Sequence, residues 1–275
     1  PRALARVLTW VVLLIALFYF LAPVYWVIIS ATKSNNDLYT TSGMLPAGNN
    51  IVANYTALME WTQHQFWRWV GNSVFYSLVA GVVGTLVSVA AGYGLSKFRT
   101  PGGVVVQGMV LAGLLFPVAL MTVPLYLMFH SMGLVNTPWA VIVPSLVSPF
   151  GLYLMWIFAG DAVPTELLEA ARVDGASRLT VLFQIVFPLI LPSVAAAAVI
   201  TFFDGWNEYL FAVTFIQDPG KWTTSMGLAS FIGEFVTPLP TVFSAALIFA
   251  IPGVVFFLIV QRWIVGGLTA GSVKG

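Results

Sequence analysis

The chain has 275 residues, of which 59% are hydrophobic and 8% charged, and its mean hydropathy is +0.94. A soluble domain is about one-quarter charged, so water is not the main solvent here. With 11 basic and 10 acidic residues the net charge is +1, which offers nucleic acid no cationic face, and the absence of cysteine removes disulfides, thiolate nucleophiles and Cys-ligated metals.

A bilayer core of about 30 Å needs roughly 20 apolar residues per helix, and six windows qualify. The first, Leu8 to Ala31, follows Arg2 and Arg6. It is too long for a signal-peptide core and no small-residue cleavage site closes it, so a retained span is expected, with a native start slightly upstream of Pro1. Next comes a polar, Asn-rich segment from Thr32 to Gly71, expected to fold over the outer mouth of the protein. Asn72 to Ser96, Val104 to His130 and Pro138 to Ala159 are predicted as the second, third and fourth spans. Gly81, Gly84, Ser88, Gly92 and Gly94 in the second read as close helix packing. Pro117, Pro124, Pro144, Pro149, Pro188, Pro192 and Pro252 fall in or beside spans and predict kinks, and the carbonyls they free require a packed bundle with a polar cavity.

The loop from Asp161 to Pro192 is predicted to be a bent helical elbow. Pro164 suits a first helical turn, while Glu166 and Glu169 face the positive pole of the helix dipole, giving a helix from about Pro164 to Val173. Gly175 fits a left-handed terminator, and a second helix is expected from near Ser177 into the membrane at Phe187. Ala170, Ala171 and Ala176 keep the elbow narrow enough for another protein's groove, with Glu169 and Arg172 as charged handles. The alternative on pattern alone is an amphipathic helix lying at the lipid interface.

The fifth span, Ile185 to Thr214, contains Asp204, Asn207 and Glu208, which are costly in lipid and mark a cavity. Trp206, Tyr209, Phe202 and Phe203 beside them would stack on sugar rings. A helix that ends early, with Trp206 and Tyr209 as interfacial anchors, fits the same residues. After the external segment Gln217 to Pro240, Val242 to Trp263 is the sixth span. Cytoplasmic loops carry the Lys and Arg excess, so Arg2, Arg6, Lys97, Arg99, Arg172, Arg178, Arg262 and Lys274 are placed inside with both termini, and Lys33, Arg68 and Lys221 outside. His64 and His130 read as ordinary surface or interface histidines, and no metal site is expected.

Glu169-Ala170-Ala171, then Gly175, Ile185 and Phe187-Pro188 at fixed spacing resemble the EAA motif of binding-protein-dependent ABC importer permeases, with Phe187 where that family usually has Leu. Asn72-Ser73, Gly92-Tyr93-Gly94, the stretch Trp206 to Tyr209 and the C-terminal Gly267 to Gly275 extend the resemblance over about residues 72 to 275, to the carbohydrate-type permeases close to maltose and trehalose transporters. The resemblance implies an all-α integral membrane protein of six transmembrane helices with the MetI-like permease fold. Its divisions would be a first span with external segment (1–71), a permease core (72–265) with a coupling helix at about 164–176, and a cytoplasmic tail (266–275). It also implies a transport subunit, not an enzyme, in a bacterial cytoplasmic membrane. Glu169, Ala170, Ala171, Arg172, Asp174 and Gly175 would couple to a separate ATPase dimer that holds the ATP and Mg. Asp204, Trp206, Asn207, Glu208 and Tyr209 would be candidates for the sugar path. A second, non-identical permease and an extracytoplasmic sugar-binding protein would complete the assembly. The chain itself has no G-x-x-x-x-G-K-[ST] phosphate cradle. The rival classes are an ion-coupled secondary transporter, for which no inverted repeat is found, and a membrane enzyme, for which no catalytic constellation is found.

Overall fold

The computed structural model of the chain describes residues 2–98, 101–232 and 238–271, and every regular element among them is helical. The predicted loop residue Arg99 and the end of the predicted tail, including Lys274, lie outside the described residues. The chain forms two compact units, residues 1–67 with 227–251 and residues 68–226 with 252–275.

In the first unit, a 30-residue helix, Arg2–Ala31, carries exposed Leu14, Phe18 and Phe20 along its length, as a lipid-facing helix does. The polar segment after it caps that helix. A helix end leaves carbonyls without partners, and Asn54, on the Ile51–Trp61 helix, donates its amide to the carbonyls of Ala31 at 2.8 Å and Lys33 at 2.9 Å. Lys33 itself is fully buried, its ammonium donating to Thr41 Oγ1 at 3.0 Å and to the Ser42 carbonyl. Ser34 and Asp37 form a reciprocal capping box that starts the short helix Asn35–Thr40.

The second unit is built around residues 68–97 of the helix Phe66–Lys97, which begins six residues before the predicted Asn72 and contains a π-helical stretch, Ala80–Gly84. The early start reflects partners that sequence periodicity does not show. Trp69 Nε1 donates to the Pro219 carbonyl at 2.8 Å, and Asn72 Nδ2 donates to the carbonyls of Gly220 and Trp222, both at 3.0 Å. Ser73 Oγ accepts the Thr224 N–H at 2.8 Å. Further along, the glycines permit close crossing. A methyl group at Gly92 would lie 2.6 Å from the Trp156 nitrogen of the Pro149–Ala162 helix, and one at Gly84 would lie 3.3 Å from the Leu146 carbonyl. Gly94 is the exception, with open space around it.

Among the described residues, four helices are long and apolar enough to cross a membrane: Ala3–Ala31, Phe66–Lys97, Trp139–Ala162 and Leu239–Ile264. Two bent pairs raise the number to six if each is one span: Gly103–Leu115 with Val118–Ser131, at 105°, and Arg178–Leu189 with Leu191–Phe215, at 88°. The predicted third and fifth spans are therefore broken, not straight. In the third, Phe116 is extended at ψ 124° because it precedes Pro117, and a residue before proline is driven out of the helical region. The fifth breaks at Ile190, where Pro192 can sit in the first turn of the next helix without losing a hydrogen bond. Pro252, by contrast, lies inside the continuous helix Leu239–Gly271.

Candidate functional site

The elbow starts one residue later than predicted. Pro164 is the extended N-cap of the helix Thr165–Val173, with ψ 139°, and so stands outside its first turn. The helix closes with Asp174 as C-cap and Gly175 at φ +75°, in a conformation that costs a side-chain-bearing residue about 1–2 kcal/mol. The Gly175 N–H donates to the Arg172 carbonyl at 3.1 Å and the Ala176 N–H to the Ala171 carbonyl at 2.9 Å, the paired bonds of a Schellman terminator. Ser177 then caps Arg178–Leu189, its Oγ accepting the Thr180 N–H at 3.1 Å.

Leu168 and Ala171 point inward. They join a core of Val163, Val181, Val186, Tyr93, Met155 and Ala159 that fixes the elbow to the second span and to the Pro149–Ala162 helix. Of the residues singled out for coupling, Ala171 is thus an anchor, whereas Glu169, Ala170, Arg172, Asp174 and Gly175 are exposed. Thr165, Leu168, Glu169 and Arg172, at i, i+3, i+4 and i+7, line one wall of an open groove of about 560 Å³ shared with Lys97, Phe98 and Gln107. Glu166, Ala170 and Val173 lie on the opposite flank, where Val173 is 88% exposed, and Leu179 just beyond the turn is 68% exposed. Sequence reasoning passed over these two residues. Their exposure depends on which face of the helix Thr165–Val173 buries Leu168 and Ala171, which the sequence does not give.

In the fifth span the five candidates do not share a face. Asp204, Asn207 and Tyr209 are exposed, whereas Trp206 is 3% exposed and stacks on Phe202 with ring centres 5.7 Å apart. Phe202 in turn stacks on Phe256 at 3.8 Å, so the Trp206 ring belongs to the core and has no open face for a sugar. The helix ends at Trp206 and resumes at Leu210. Asn207 Nδ2 donates to the Phe203 carbonyl at 3.0 Å across the stop, and Glu208 Oε1 accepts the Phe211 N–H at 2.6 Å, capping the restart. These polar groups satisfy backbone freed by the break, while Asp204, Asn207 and Tyr209 together offer an acid, an amide and a phenol on one exposed stretch.

Beyond Phe215 the chain is bound back on itself. Asn136, held at φ +60°, accepts the N–H groups of Gln217 at 3.1 Å and Asp218 at 2.9 Å on its Oδ1, and its carbonyl accepts Lys221 Nζ at 2.9 Å. Asp218 pairs with Lys221 at 3.3 Å. The Gly220 N–H, followed by Lys221, holds the Asp218 carboxyl below its ordinary range. His130 lies against the Tyr126 ring with ring centres 6.0 Å apart.

Residues 84–269 match the model of the family described as binding-protein-dependent transport system inner membrane component. A probable ABC transporter permease protein of Bacillus subtilis is 32% identical over 271 residues, covering 97% of this chain and 88% of the relative. A melibiose/raffinose/stachyose import permease protein of the same organism is 31% identical over 276 residues, covering 98% and 97%. Among solved structures, a chain of a bacterial ABC transporter involved in import of the acidic polysaccharide alginate superposes with a TM-score of 0.80 at 21% identity, over 94% of this chain and 96% of that one. At that identity the likeness speaks for the fold.

Proposed function

Because this chain belongs to the family of binding-protein-dependent transport system inner membrane components, we propose that it is one permease subunit of an ATP-driven importer of di- or oligosaccharides. The observation that carries the reading is the elbow: a short, rigidly terminated helix, anchored by Leu168 and Ala171 and exposed on its other sides. Such a helix transmits force only if something grips it, and the chain has no phosphate cradle of its own. The grip is therefore assigned to a separate ATPase dimer, which binds the ATP and Mg and closes on Glu169, Ala170, Arg172, Asp174 and Gly175. The Lys and Arg excess supports a cytoplasmic elbow and cytoplasmic termini, and the bacterial relatives support an inner membrane.

A sugar substrate is supported by the name of the melibiose/raffinose/stachyose permease and by an exposed acid, amide and phenol at the break in the fifth span. Asp204, Asn207 and Tyr209 are assigned to the path, with Glu208 as a helix cap and Trp206 as core support behind them. A second, non-identical permease would supply the other half of the pathway, and an extracytoplasmic binding protein would deliver the sugar. The segments 1–71, 72–265 and 266–275 would serve as anchor, conducting core and tail.

The test is uptake of a labelled oligosaccharide by the assembled transporter in vesicles. Uptake should require internal ATP and should be lost in Glu169→Lys while the binding protein still binds sugar. Uptake driven by a proton or sodium gradient without ATP would overturn the reading.

A further inference from the structure

Where the second span ends, two grooves meet. The open groove already described is lined by Lys97 and Arg172, with Glu169 as its one carboxylate. A second, mostly apolar slot of about 520 Å³ is lined by Ala91, Gly94, Val106, Leu152 and Arg178. Leu95 and Phe98 line both. Arg178 stands 5.5 Å from the centre of the Phe98 ring, so its charge sits at the junction. Lys97 Nζ donates to the Gly160 carbonyl at 2.8 Å, and among the described residues none of Lys97, Arg172 and Arg178 is in an ion pair. Among the described residues, Lys97 and Arg172 thus line the open groove and Arg178 the adjoining apolar slot, with Glu169 as the one lining carboxylate, at the end of a membrane-crossing helix. A soluble anion would leave that slot empty, and a neutral lipid would leave the charge unmatched.

We propose that this junction binds an anionic phospholipid, its phosphate at Lys97 and Arg178 and one acyl chain in the slot beside Gly94 and Val106. Basic pockets between transmembrane helices hold anionic headgroups by the same combination of charge and apolar contact. Gly94 suits a chain-lined slot, since no atom lies within 4 Å of where its Cβ would be. The inference rests on these helices crossing a membrane and is independent of the sugar carried.

The experiment is native mass spectrometry of the full chain purified in mild detergent, titrated separately with dioleoylphosphatidylglycerol, dioleoylphosphatidylcholine and glycerol 3-phosphate. The unaltered chain should retain the phosphatidylglycerol roughly tenfold better than the phosphatidylcholine, the effect of about one or two charge contacts. Lys97→Gln with Arg178→Gln should abolish the preference by removing charge. Gly94→Leu should reduce retention by filling the slot while leaving every cation in place, and a leucine there also favours the helix. Equal retention of the two lipids by the unaltered chain, an unchanged preference in Lys97→Gln with Arg178→Gln, or unchanged retention in Gly94→Leu would overturn the proposal. So would equal binding of glycerol 3-phosphate, which would make the site one for a free anion. Failure of sugar uptake would leave this result untouched.

Discussion

At the scale of single residues, two glycines of the second span, Gly92 and Gly94, make opposite predictions. Gly92 sits where a Cβ would be 2.6 Å from backbone of the crossing helix, so Gly92→Ala forces the helices apart. Overpacking of this kind costs about 1–3 kcal/mol, read as a lower unfolding midpoint in detergent. Gly94→Ala meets nothing and should be neutral or stabilising by up to about 1 kcal/mol. Asn54→Ala removes the donor to two carbonyls at the end of the first helix, and is expected to cost about 1–3 kcal/mol in the same measurement. Asp218 gives a pH prediction. Its folded pKa is depressed, so its contribution is present above the ordinary carboxylate value of about 4 and is lost as pH falls through the folded value. Amide protection of residues 217–224, corrected for intrinsic exchange, should therefore drop in acid, and Asp218→Asn should show the low protection at every pH. None of these four residues could have been ranked from sequence alone. Gly92 and Gly94 stand two apart in one apolar run, and only the neighbour packed on each distinguishes them.

At the scale of elements, the elbow was readable to within a residue because its signals are local: a proline before the helix, acidic residues early in it and a glycine that must take positive φ. Gly175→Ala keeps the sequence pattern and strains that turn, so the elbow's hydrogen-exchange protection should fall while the spans keep theirs. What the sequence could not supply was direction. Ala171 is chemically identical to Ala170, yet one is buried against Val163 and Val181 and the other is exposed, because the helix rotation is set by a core drawn from four other segments. Trp206 misled for a related reason. Its polar neighbours Asn207 and Glu208 suggested a shared face, whereas the helix puts it on the side of Phe202 and Phe256. Pro117, Pro188 and Pro192 announce the two breaks, but the angles of 105° and 88° depend on packing that no window of 20 residues contains.

At the scale of the whole molecule, composition alone establishes a membrane protein, and the family match over residues 84–269 makes it a transport subunit. The long exposed first helix and the outward face of the elbow are surfaces suited to lipid and to partner chains respectively. The central claim is that the elbow is gripped by a separate ATPase. The most direct measurement is purification of the tagged chain from its own membrane in mild detergent, beside Glu169→Lys, with mass spectrometry of what remains bound. A nucleotide-binding ATPase and a second permease should remain with the unaltered chain, and the ATPase alone should be lost with the variant. A chain that comes through without an ATPase, yet transports when reconstituted by itself, would contradict it.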